Sequence, residues 1–212
     1  IYRSFMKENH VFIRMLAYLI TMLATAFVVT NCLLYLSCFN VSHQLNENNP
    51  REFLRIKIYG SSTTTSGLSN TVSGTFSIID SNGNEIAVIE RSWSGSYLGV
   101  EFVQADFNGK YYLFPSKIYG KNRIIEERRE RKHGIKLEKY YNEDGQCLLL
   151  GHGSTLSDRQ AMYKISIFTT HKYHFLTFGL TSRYNIDLSG CKPDRYYSIG
   201  CDDKGNLIIR EL

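Results

Sequence analysis

MLAYLITMLATAFVVTNCLLYL, residues 15–36, contains no charged side chain, and the reading of the rest of the chain starts from that fact. As a helix rising about 1.5 Å per residue the stretch reaches roughly 33 Å, against a hydrocarbon core about 30 Å thick. Its Leu, Ile, Val and Phe side chains each favour insertion by about 0.3–0.6 kcal/mol near the helix centre. Asn31 is its one strongly polar member and lies toward the far end, while the threonine hydroxyls can bond to carbonyls one turn back. A buried core helix seldom runs so long without a charge. The stretch therefore predicts a transmembrane or signal-anchor helix over residues 15–37, with membrane lipid as its partner.

The two flanks set a direction. Arg3, Lys7 and Arg14 precede the stretch with Glu8 alone opposing them, whereas FNVSHQLNENNP, residues 39–50, has no Lys or Arg. Positive flanks stay in the cytoplasm, so residues 1–14 are expected there and the remainder outside. Basic-then-apolar also describes a cleavable signal peptide, although such apolar regions usually run about 7–15 residues. A third outcome is a lipoprotein. Leu34-Tyr35-Leu36-Ser37-Cys38 loosely follows a bacterial lipobox with Cys38 as the lipidation site, but Tyr35 and Leu36 are bulky for it. All three outcomes put the domain in the cell envelope or on the surface. The first residue is Ile1 and the first methionine Met6, so residues 1–5 read as upstream sequence or the chain as a piece of a longer one.

Residues 38–50 are expected as a polar linker, rich in Asn and closed by Pro50. Residues 51–212, about 160 residues, suit a single domain, and 43% apolar content over the chain is enough to fill one core. A net charge of +5, interspersed with acids, does not point to nucleic acid as a partner. Cys32 and Cys38 belong to the apolar segment. Outside the cytoplasm Cys191 and Cys201 are expected to pair as a disulfide across CKPDRYYSIGC, leaving Cys147 as a buried thiol. No Cys/His spacing suits zinc, and no cofactor motif occurs.

From residue 53 the pattern changes to alternation. Leu54, Ile56 and Ile58 share one face and Arg55 and Lys57 the other, which predicts a half-buried strand. Residues 60–74, GSSTTTSGLSNTVSG, are expected as a loop, followed by a hairpin of residues 75–79 and 85–90 about Asn82-Gly83. Asp80-x-Asn82-x-Asn84 spaces oxygens as a calcium loop does, but no glutamate stands at the twelfth position and a strand follows, so it reads as a turn. Further strands are expected at 98–102, 110–115, 146–150, 164–170, 175–178, 184–188, 196–201 and 207–210. Lys121–Lys136 reads as a charged hairpin about His133-Gly134, and a short helix is expected from a Ser157 cap through Tyr163. Short strands at regular spacing predict an all-β fold, mostly antiparallel, as a sandwich or barrel behind the N-terminal helix.

Function is less legible. The chain has no GxSxG, HExxH, phosphate-binding loop or GxGxxG. Its best catalytic pair is His152 and Ser154 in Gly151-His152-Gly153-Ser154, near Asp158, the basis of a secreted-hydrolase alternative. With 15 Tyr and 12 Phe against 1 Trp, tyrosine doublets stand out at 111–112, 140–141 and 196–197. On a strand each doublet sends one ring inward and one outward. The candidate binding rings are Trp93, Tyr112, Tyr141 and Tyr197. The leading expectation is a membrane-anchored, extracytoplasmic, non-catalytic binding or structural protein whose partner is an unidentified protein or glycan.

Overall fold

The structure, a computed structural model, describes residues 2–45, 51–63, 70–107, 109–122, 133–170, 177, 179–202 and 206–212. The chain divides into two compact units, Ile1–Ser37 and Cys38–Leu212. The first is helical: α1 runs Tyr2–Ser42, its final turn belonging to the second unit. Phe12–Ser42 is long and apolar enough to cross a bilayer, and Met15, Tyr18, Met22 and Leu23 are all exposed. Thr21, Thr25 and Thr30 donate their hydroxyls to the carbonyls of Ala17, Thr21 and Ala26 at 2.8 Å, and Asn31 Nδ2 donates to Phe27 O at 2.7 Å. These polar groups are thereby satisfied inside the helix, as a segment in hydrocarbon requires.

The second unit is an antiparallel β domain. One sheet runs β11-β10-β1-β2-β3, built from β1 (Leu54–Thr63), β2 (Asn70–Ile79), β3 (Glu85–Ser94), β10 (Tyr196–Cys201) and β11 (Leu207–Glu211). The other runs β6-β5-β4-β9, from β4 (Tyr97–Phe107), β5 (Lys110–Lys121), β6 (Ile135–Lys136) and β9 (Thr181–Asp187). A two-residue hairpin joins β7 (Asn142–Glu143) to β8 (Gln146–Cys147) over Asp144 and Gly145, both at positive φ. The helices are α2 (Glu138–Tyr141) and α3 (Leu156–Thr169).

The two large sheets pack face to face as a sandwich. Phe53 meets Phe102 across the layer with ring centroids 5.7 Å apart, and Ile56, Phe76, Ile78, Val100 and Ile118 are fully buried. The outer face of the four-stranded sheet is covered in turn. Phe107 packs on Phe168 of α3 and Phe114 stacks on Tyr141 of α2. Consequently β4 is buried nearly from end to end, on both faces.

Alternation in residues 54–58, the hairpin over residues 80–84 and the C-terminal pair β10–β11 all appear as expected. Several elements differ. β1 and β2 extend to Thr63 and back to Asn70, so the expected loop over 60–74 is largely a ladder with a bulge between Ile58 and Gly60. Residues 164–169, expected as a strand, continue α3. Ala161, Met162, Ile165 and Phe168 are buried at helical spacing, so tertiary packing overrides the β-branched alternation. The α3 cap is Thr155, whose Oγ1 accepts from Asp158 N at 3.1 Å, rather than Ser157. Leu148–Leu150 form a 3-10 turn instead of prolonging β8.

The polar linker expected over 38–50 begins as helix. Cys38 and Ser42 are buried in the second unit, and Lys110 Nζ donates to the carbonyls of Ser42 and Leu45 at 3.2 and 2.8 Å. Residues 123–132 of the charged run Lys121–Lys136, all of the expected strand at 175–178 except Thr177, and residues 203–205 of the last hairpin lie outside the described residues.

Candidate functional site

The two sheets differ in what covers them. Among the described residues, α3 packs on β4 and β5 of the four-stranded sheet and α2 meets both Phe114 of β5 and the edge strand β3, whereas the outer face of the five-stranded sheet carries exposed side chains: Tyr59, Val88, Glu90 and Tyr196. Strand pairing lines these up. Lys57 of β1 sits opposite Tyr196 of β10 on one side and Thr75 of β2 on the other, and Arg55 sits between Ser198 and Ser77. The face holds a cleft of about 350 Å³ lined by Arg55, Lys57, Tyr59, Thr75, Ser77 and Tyr196. Ile56, Glu85 and Val88 complete it.

Its electrostatics centre on Lys57. The ammonium lies 5.4 Å from the ring centroid of Tyr59 and 5.2 Å from that of Tyr196, so two ring faces flank one charge. Tyr59 Oη and Thr75 Oγ1 share a hydrogen bond of 2.6 Å, which fixes the first ring. Arg55 is already held by Glu52 through contacts of 2.9 and 3.3 Å. Lys57 meets Asp194 only at 3.9 Å, and that carboxylate is 73% exposed. A long, solvated pair of this kind satisfies little of the charge.

The candidate binding rings read from sequence fall elsewhere. Trp93 is buried against Phe76, with ring centroids 5.3 Å apart. Tyr112 donates to Ser42 O at 3.2 Å, Tyr141 donates to Pro115 O at 3.0 Å, and Tyr197 accepts from Lys192 N at 2.8 Å; all three are buried. None of the four can present a ring to a partner. The outward members of the strand doublets are Tyr111 and Tyr196, both about half exposed, while Tyr140–Tyr141 belongs to a helical turn where alternation does not apply. Outward placement of Lys57 and Tyr59 was legible from the inward run Leu54, Ile56 and Ile58. Their meeting with Tyr196 was not, because it depends on the pairing of β1 with β10.

The catalytic pair is not assembled. His152 lines a depression of about 140 Å³ with Asp80, Glu85 and Arg159, whereas Ser154 lines another of about 270 Å³ with Asn82 and Asp158. Ser154 Oγ donates to Gly151 O at 2.7 Å, and Asp158 Oδ2 accepts from Thr155. Asp80 uses Oδ1 to accept from Asn82 N and Asn84 N, both at 2.8 Å, so its oxygen closes the turn. Among the described residues no group of three His, Cys, Asp or Glu is placed to hold a metal.

The cysteines are free thiols. Cys191 lines a small depression with Ile58 and Gly60, near one end of β1, and Cys201 ends β10 beyond the Leu54–Ile199 pair, toward the other. β10 separates them by roughly 16 Å of strand, well beyond the ~7 Å Cα limit for a bridge. The expected Cys191–Cys201 disulfide is therefore absent, and burial, with the charges of Asp187 and Glu211, pushes the Cys191 thiol up to about 11. Cys147 is buried, as expected, and burial pushes it up to about 12. Cys38, the expected lipidation site, is fully buried with its thiol directed at Lys164 O, 3.4 Å away.

In class, then, this is an all-β sandwich behind one long apolar helix, with an aromatic–polar cleft on the outer face of its five-stranded sheet. Compared with known proteins, the chain matches no family model, no curated protein and no solved structure.

Proposed function

We propose that this protein is a membrane-anchored, extracytoplasmic binding module, non-catalytic, that presents the outer face of its five-stranded sheet to a ligand in the cell envelope or on the surface. The observation that carries the reading is the asymmetry of the sandwich: α3 packs on the four-stranded sheet, while the other displays Tyr59, Lys57 and Tyr196 around a cleft. Exposed aromatic rings beside a cation are common at recognition sites. The positive flank Arg3, Lys7 and Arg14 supports a cytoplasmic N-terminus and an exported domain.

The anchor is retained in this reading. Acylation at Cys38 requires cleavage before it and would pull a buried side chain, together with the last turn of α1, out of the domain. Intact mass of the membrane-extracted protein tests this point, and residues 1–37 are expected to be present without an acyl chain. Orientation is tested by treating intact cells with a membrane-impermeant amine reagent and mapping the modified lysines. Lys136 and Lys192, both exposed, are expected to react before lysis. Reaction only after lysis would place the domain in the cytoplasm and end the proposal.

A further inference from the structure

From the cleft on the five-stranded sheet we infer the chemistry of the ligand: a short acidic saccharide, its carboxylate on Lys57 and a sugar ring against Tyr196. The inference deepens the proposed function and rests on that reading of this face as the binding face.

Three features of the cleft select this class. First, its charge is unspent. Arg55 is clamped by Glu52, but among the described residues the one ion pair of the Lys57 ammonium is the long contact to the exposed Asp194, so an anionic group arriving there displaces little. The flanking rings hold the ammonium in place beforehand, which lowers the entropy lost on binding. Second, Tyr59 and Tyr196 are 41% and 51% exposed, leaving ring surface on which the C–H face of a pyranose can stack. Third, hydroxyl groups crowd the same spot. Thr75 lies opposite Lys57 and bonds to Tyr59, and Ser77 lies two residues along the same strand, offering donors and acceptors to sugar hydroxyls.

Competing ligand classes fit less well. An extended acidic peptide gains affinity chiefly by pairing its backbone with a free sheet edge. Here most of the cleft sits over β10, β1 and β2, interior strands whose backbone groups are engaged by neighbours on both sides, and only Glu85 and Val88 belong to the edge strand β3. A predominantly apolar partner would strand Lys57, Arg55 and Glu85 without water. A neutral sugar would leave the Lys57 charge unused. The volume, about 350 Å³, is at the small end for ligand sites, which suits a short oligosaccharide.

The test uses the purified full chain in proteoliposomes, titrated calorimetrically with trigalacturonate, maltotriose and a triglutamate peptide. Trigalacturonate is expected to bind, more weakly as salt rises. Lys57→Gln is expected to weaken it about tenfold, the loss of one charge-assisted contact. Tyr196→Ala should also weaken it, and Tyr196→Phe, which keeps the ring, should restore it. Lys136→Gln, a charge change at an exposed site on β6, should leave it unaltered. Near-ultraviolet circular dichroism on each variant checks that the domain is folded. Equal or tighter binding of triglutamate would overturn the inference in favour of an acidic peptide. Maltotriose binding as tight as trigalacturonate and indifferent to Lys57→Gln would overturn it in favour of a neutral glycan, and no binding of any probe would overturn it outright. Orientation in the cell does not enter this measurement, so failure of the ligand class and failure of the extracytoplasmic reading are separable.

Discussion

Lys121 is the residue whose placement demands most of its neighbours. Its side chain is 3% exposed, and Asp187 Oδ1 lies 2.7 Å from the ammonium. Burial alone would raise the Asp187 carboxyl, but hydrogen bonds from Lys121 and Ser189 outweigh it and hold the group below its ordinary value of 3.8. Because the folded value is the lower one, the contribution to stability is present above the unfolded value and is lost as pH falls through the folded one. Asp187→Asn is expected to cost about 1–2 kcal/mol at neutral pH, toward the low end because Asp187 is partly solvated. The variant's stability should also fall less steeply than wild type on acidification below about pH 4. Urea unfolding of the detergent-solubilised chain at a series of pH values, followed by Trp93 fluorescence, measures both. An acid limb identical to wild type would remove Asp187 from the account. Nothing local in the sequence marks this pair: Lys121 ends β5 and Asp187 ends β9, and β4 lies between them.

At the level of elements, the end of α1 is the instructive case. A helix leaves its last carbonyls without partners in the chain that follows, and buried ones need a donor. Here the donors come from β5. Lys110 Nζ reaches Ser42 O and Leu45 O, and the Tyr112 hydroxyl reaches Ser42 O. Tyr112→Phe, which deletes one donor and keeps the ring, is expected to destabilise the domain by about 1 kcal/mol. Lys110→Met should cost more, since two carbonyls lose a charged donor. Hydrogen exchange at residues 38–45 should quicken in both variants. Unchanged exchange would mean the contacts do not hold this turn. FNVSHQLNENNP, polar and Asn-rich, reads locally as a linker, because the donors that keep its first part ordered lie far along the chain. α3 shows the complementary failure. Lys164–Thr169 alternates well enough for a strand, but Phe168 packs on Phe107, and that contact requires a helix.

Across the whole domain, the crossing from one sheet to the other is the tightest join. β3 ends at Ser94 and β4 begins at Tyr97, with Gly95 at φ +127° and its N donating to Asn70 O at 2.8 Å. At this corner Gly120 of β5 lies under the backbone of Ser94, and a Cβ on Gly120 would collide with the Ser94 carbonyl oxygen. A backbone atom cannot swing aside as a side-chain tip can. Gly120→Ala is therefore expected to destabilise the sandwich by about 1–3 kcal/mol, as overpacking does. A lowered Tm by calorimetry is the expected result, and a variant as stable as wild type would show that the sheets are not in contact there.

Residues 15–36, and the alternation from Leu54 onward, were sufficient to determine an apolar helix followed by antiparallel β-structure. Both are local signals: one is a length of uncharged chain, the other a two-residue period, and neither depends on a distant partner. The tertiary structure alone decided which tyrosine of each strand doublet faces water, that Cys191 and Cys201 lie apart, that His152 and Ser154 serve separate depressions, and that Lys57 meets Tyr196. Each of these turns on which strand lies beside which, or which helix covers which face. Those choices are made by burial and pairing between segments far apart in the chain, which a local pattern does not encode.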